Sequence, residues 1–175
     1  MANISAQVLE AIKGAIQLEV DGRAFFDHAV ETTKSELGKK MFQKLANDET
    51  QHLKVFGELF TTVIGDEEWK KYVSEKEKAK APLIEELKER MGRKEKEGKA
   101  GETEAIRIGM ELERKAIDFF ADAAKKAGDA NAKAIFEKIS KEEELHYDLL
   151  QSQLDSVTNS GYWLDVASYK MDGQY

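Results

Sequence analysis

The chain has 175 residues, one proline, no cysteine, a formal net charge of −7, and charged side chains at 35% of positions. That length fits a single domain (1–175) able to bury its own core, and the lack of Cys excludes disulfides, zinc ribbons, thiol nucleophiles and thiolate-held iron, so any metal must be held by His and carboxylates. The acidic balance argues against nucleic-acid and anionic-membrane partners, no stretch approaches the roughly 20 apolar residues of a membrane span, and the opening MANISAQVLEAIKG lacks a signal peptide's basic start and apolar run; the expected location is cytoplasmic.

The first predicted helix runs from about Ser5 to Thr32, with Val8, Ile12, Ala15, Ile16, Gly22, Phe26 and Ala29 recurring at three-four spacing on one face. The second runs from about Ser35 to Val63, on Phe42, Leu45, Leu53, Phe56 and Leu59. The connection Thr32-Thr33-Lys34-Ser35 is short, which makes the two helices antiparallel neighbours in a first hairpin, 1–64. A polar crossover, 65–101, is rich in Lys and Glu and reads as two helical pieces broken at Pro82, or as a solvated linker. A second hairpin, 102–158, follows. Its helices span Glu102–Ala127, on Ile106, Met110, Ala116, Phe120 and Ala123, and Ala130–Val157, on Ile135, Phe136, Ile139, Leu149, Leu150 and Leu154. Gly128-Asp129 marks the turn between them. The tail, 159–175, is aromatic and too short for a domain.

The two hairpins are copies of one design. QLEVDGRAFF matches ELERKAIDFF, and KLANDETQH matches KISKEEELH. The offset is constant and gapless: 113 − 19 = 143 − 49 = 146 − 52 = 94. Glu19 and Glu49 are centred on Lys34, and Glu113 and Glu143 on Gly128, at or beside the two turns. Each pair therefore lies side by side, roughly 20 Å from its turn at 1.5 Å per residue. His52 and His146 stand one turn beyond Glu49 and Glu143, on the same faces.

These six residues sit on the apolar stripes. Four buried carboxylates are costly unless paired, and Lys and Arg do not recur on those stripes. Two divalent cations would neutralise them. Imidazole and carboxylate without thiolate suits iron or manganese, with zinc possible and calcium disfavoured. A Glu from each of two helices, with Glu-x-x-His from each of the others, is a recurring dimetal arrangement in bundles. A lone Glu-x-x-His is weak, but two, each with an upstream Glu at equal spacing, are specific. Asn47-Asp48 has become Lys141-Glu142 in the second copy while Glu and His have stayed. The competing reading is a bundle whose buried carboxyls are neutralised by protons or water. His28 lacks a Glu three residues before it and faces Asp122 in the repeat, so it is expected at the surface.

At these residues the four long helices resemble the ferritin-like superfamily, and within it the rubrerythrin-like di-iron carboxylate proteins. The resemblance implies an all-α, ferritin-like antiparallel four-helix bundle holding two Fe ions, with Mn or a mixed pair as the variant. It implies that Glu49 and Glu143 bridge the ions, that Glu19 and Glu113 are terminal ligands, and that His52 and His146 cap one ion each. Asp48 and Glu142 stand where relatives often place a carboxylate that orients a ligand His. The chain departs from rubrerythrins proper in having Ala116 where a further Glu ligand stands, Phe26 and Phe120 where tyrosines are common, and no Cys-rich rubredoxin module. The implied activity is reduction of hydrogen peroxide or O2 in oxidative-stress defence, with electrons from a separate donor protein, in a homodimer or small homo-oligomer. Gly22 and Ala116, with Phe26 and Phe120, are the candidates for substrate access. An iron-storage ferroxidase subunit and a non-enzymatic metal-binding bundle are the competing functions.

Overall fold

In a computed structural model the described residues are 6–64, 69–71, 73, 74, 85, 89, 90 and 101–158. Four long helices carry the fold: α1 (Ala6–Thr32), α2 (Glu36–Ile64), α3 (Gly101–Lys126) and α4 (Ala130–Thr158). Their ends follow local chemistry. The Ser35 hydroxyl accepts a hydrogen bond from the Gly38 N–H at 3.1 Å and opens α2. The Asp129 carboxylate accepts from the Ala132 N–H at 2.8 Å and opens α4. Both side chains satisfy donors that the first helical turn cannot pair. Glu102 and Glu104 in the first turn of α3, and Lys125 and Lys126 in its last, match the helix dipole.

Within each hairpin the helices pack along their length, α1 on α2 and α3 on α4; α1 also packs on α3, while α2 and α4 touch only lightly. The core divides into two clusters. One stacks Phe56, Phe120 and Phe136 among Val8, Ile12, Ile16 and Ile139. The other gathers Phe25, Phe26 and Phe42 with Leu45, Ile106 and Leu150. On α2, α3 and α4 the candidate ligands fall between the stretches that build these clusters, and on α1 Glu19 precedes Val20, the last residue that helix gives the first cluster. Apolar packing thus clamps the bundle on both sides of its middle.

Most residues of the expected stripes are buried, but the stripe on α1 is too narrow. Val20, Ala24 and Phe25 are also enclosed, because α1 is covered by both α2 and α3. Met110, Ile135, Leu149 and Leu154 are only half-buried. His28 differs from the surface expectation: its side chain is 14% exposed and lies 3.9 Å from Glu31.

Trp69, Val73 and Arg90 are among the described crossover residues that meet the bundle, Trp69 and Val73 against the first core cluster. The Trp69 ring lies so close over Gly57 that a Cβ there would come within 2.6 Å of it, and only glycine leaves the space. Arg90 donates to Glu111 of α3 at 3.0 and 3.1 Å. The break expected at Pro82 and the aromatic tail lie outside the described residues. Among the described residues no helix is long and apolar enough to cross a membrane.

Candidate metal centre

Each helix delivers its part of the centre at mid-bundle: α1 brings Glu19, α2 Glu49 and His52, α3 Glu113, and α4 Glu143 and His146. All six are at most 5% exposed. They form two overlapping groups, each with donor atoms within 4.8 Å of one another. One is Glu19, Glu49, His52 and Glu143; the other is Glu49, Glu113, Glu143 and His146. Glu49 and Glu143 belong to both, so the groups share a carboxylate pair and differ in one Glu and one His each.

The imidazoles point Nδ1 inward. His52 Nδ1 is 3.2 Å from Glu19 Oε2 and 3.0 Å from Glu143 Oε1. His146 Nδ1 is 2.8 Å from Glu143 Oε2, 3.6 Å from Glu113 Oε1 and 3.7 Å from Glu49 Oε1. The rings stack with centroids 5.7 Å apart. Their outer nitrogens are held crosswise. His52 Nε2 donates to Glu142 at 2.9 Å, and His146 Nε2 to Asp48 at 3.1 Å, so each hairpin's acid grips the other hairpin's histidine. Those acids are in turn paired along their own helices, Asp48 with Lys44 and Glu142 with Lys138. With Nε2–H committed to a carboxylate, Nδ1 is the nitrogen left to face a cation.

The electrostatics are those of a site built around positive charge. Burial raises Glu19 well above the usual carboxylate range, and repulsion from Glu49 adds to it. Burial raises Glu113 likewise; His146 opposes the shift, and Glu49 and Glu143 reinforce it. Burial also pushes on Glu143, but His146 and His52 outweigh it and bring that carboxyl down to about 2. For the imidazoles burial disfavours the charged form, yet the carboxylates prevail. Glu143, Glu19 and Glu49 hold His52 above its ordinary value, and Glu113 and Glu143 push His146 up to about 10. Without a metal, protons on these rings stand where cations would.

Protons do not complete the site. Glu19 Oε1 and Glu113 Oε1 are buried and accept no hydrogen bond, and Glu143 Oε1 has only an ion-pair contact with His52 Nδ1, at 3.0 Å. For Glu19 and Glu113 the imidazoles offset only part of the desolvation cost that such oxygens carry. Oxygen acceptors without partners, beside inward imidazole nitrogens and in two overlapping four-residue groups, fit a pair of divalent cations with mixed N/O ligation.

Two openings flank the centre. Between α1 and α3 lies a chamber of about 250 Å3, with Glu19, Glu49, Glu113 and Glu143 in its wall. Gly22, Ala116 and Phe26 line it too. Phe120 does not; it is fully buried in the stack with Phe56 and Phe136. Between α2 and α4, where the helices touch lightly, a groove of about 370 Å3 exposes the outer edges of His52 and His146 with Asp48 and Glu142.

A family model described as Rubrerythrin matches residues 10–154, from the early turns of α1 to the last turns of α4. The chain belongs to the rubrerythrin family. Neither the curated proteins nor the solved structures yielded a match. As a rubrerythrin-family chain it has the ferritin-like di-iron carboxylate fold, and its candidate ligands are the groups that the fold brings together at mid-bundle. The crosswise grip of Asp48 and Glu142 is what the spacing alone missed. The position of these acids before Glu49 and Glu143 was visible in the sequence, but their partners lie 98 and 90 residues away.

Proposed function

We propose that this chain is a di-iron oxidoreductase that reduces hydrogen peroxide or O2. The observation that carries the reading is the pair of overlapping, buried carboxylate–imidazole groups sharing Glu49 and Glu143. In this reading Glu49 and Glu143 would serve both ions, with Glu19 and His52 completing one group and Glu113 and His146 the other. A bound iron pair supplies two redox equivalents and an open coordination position for the oxidant.

The protein's own groups do the rest. Glu142 and Asp48 accept from His52 Nε2 and His146 Nε2 and fix ring orientation and tautomer. The two apolar clusters hold the four helices together on either side of the centre. Gly22 leaves the Glu49 carboxylate open towards α1: a Cβ there would stand 3.4 Å from Glu49 Cδ. The chamber between α1 and α3 gives a small oxidant access to the carboxylate side. Because no Cys is present in the sequence, electrons come from a donor outside these residues.

The test is optical. Protein loaded with ferrous iron without air and mixed with hydrogen peroxide should develop near-ultraviolet absorption of oxo-to-iron character within the mixing experiment. Bound iron with an unchanged spectrum would reject the oxidoreductase and leave a metal-binding bundle.

A further inference from the structure

The chamber between α1 and α3 is built to a plan of its own. Its walls follow the internal repeat at the 94-residue offset: Leu18 opposes Leu112, and Gly22 opposes Ala116. Both hairpins place a leucine just before the terminal glutamate and a small residue one turn after it. Phe26 adds an aromatic wall. The floor is four carboxylates, and the sides carry these apolar groups together with the charged pair Asp21 and Lys115, again 94 positions apart.

The size exceeds what the smallest oxidants need. At about 250 Å3 the chamber is several times the roughly 30 Å3 share of a water molecule in the liquid. Two cations and the two oxygens of a peroxide, each counted at that share, take up only about half of it. The apolar part of the wall, Leu18, Leu112 and Phe26, favours a carbon substituent by removing it from water.

We infer that the substrate class of this site includes organic hydroperoxides, ROOH, with the peroxide group at the carboxylate floor and R against Leu18, Leu112 and Phe26. The inference rests on the oxidoreductase reading above. The reaction splits the O–O bond, takes up two electrons and two protons, and leaves the alcohol ROH and water. The electrons come from an external one-electron donor through the reduced metal pair.

The experiment has two arms. In the first, reduced iron-loaded protein is mixed with hydrogen peroxide, tert-butyl hydroperoxide or cumene hydroperoxide, and oxidation rates are compared. The expected result is a tert-butyl hydroperoxide rate within about tenfold of that for hydrogen peroxide, with Ala116→Leu lowering the organic-to-inorganic ratio at least tenfold. In the second, zinc-loaded protein, which has no redox chemistry, is titrated with tert-butanol. Saturable shifts of the amide resonances of Leu18, Gly22, Leu112 and Ala116 are expected, and they should be lost in Ala116→Leu. Rapid oxidation by hydrogen peroxide, with organic hydroperoxides a thousandfold slower and no saturable alcohol shifts, overturns the inference and leaves the oxidoreductase standing. If no peroxide oxidises the reduced protein, the oxidoreductase reading fails and this inference falls with it. The wild-type comparisons decide the matter even where Ala116→Leu does not fold.

Discussion

Replacing Glu113 with Gln should move stability in opposite directions with and without metal. Glu113 is 2% exposed, its Oε1 accepts no hydrogen bond, and its nearest cationic partner, His146 Nδ1, is 3.6 Å away. In metal-free protein the carboxyl either stays charged in a low-dielectric site or takes up a proton. Gln keeps its shape and removes that burden. Leaving a buried acceptor unsatisfied costs about 1–3 kcal/mol, and the lower half of that range applies because Glu113 can protonate. For a chain of this size each kcal/mol shifts the midpoint by about 2–4 °C, so Tm should rise by roughly 2–8 °C in chelator. With metal the sign reverses. An ion held at a hundred times its Kd stabilises by about 2.7 kcal/mol, and losing a ligand should remove most of that, or about 5–10 °C of the metal-induced gain. Thermal melts of both proteins at pH 7, with chelator and with saturating metal, measure all four values. A variant that melts below wild type in chelator, or that gains as much as wild type from metal, would show that Glu113 is a structural acceptor rather than a ligand.

The raised imidazoles set a pH dependence. His52 and His146 hold protons in the metal-free site, the latter up to about pH 10, and a cation must displace them. Metal affinity should therefore rise about tenfold per pH unit per proton displaced between pH 6 and 9, and calorimetry in buffers of differing ionisation enthalpy should find at least about one proton released per ion; pH-independent affinity would contradict this. Asp48→Ala should weaken the ion beside Glu113 and His146 by about 10–100-fold and spare the ion beside Glu19 and His52, because Asp48 grips the other hairpin's histidine; equal loss at both, seen in stepwise metal titration, would argue for general loosening. Phe56→Ala removes a ring stacked on Phe120 and in contact with Phe136. It should cost about 3–5 kcal/mol and lower Tm by roughly 6–20 °C, and a drop of under 3 °C would mean the stack contributes little.

Much of the centre was legible because the chain says it twice. A gapless offset placed Glu19 with Glu113, Glu49 with Glu143 and His52 with His146, and symmetry about Lys34 and Gly128 brought each pair level. The helix ends fell within a residue of expectation, because Ser35 and Asp129 are strong local signals. What a hairpin's own sequence cannot encode is how it docks on its copy. That docking decides which acid meets which histidine, and it buries Val20 and Phe25 off the main stripe. It also seats Phe120 in the core while Phe26 faces the chamber. The same docking leaves α2 and α4 lightly joined and so opens the histidine side, which no periodicity along one helix reveals.

The dimetal centre itself is tested most directly by anomalous diffraction at the iron edge from crystals of iron-loaded protein. Two peaks should lie within the bundle, both between Glu49 and Glu143, one beside His52 and the other beside His146. One peak, or peaks only on the surface carboxylates, would contradict it.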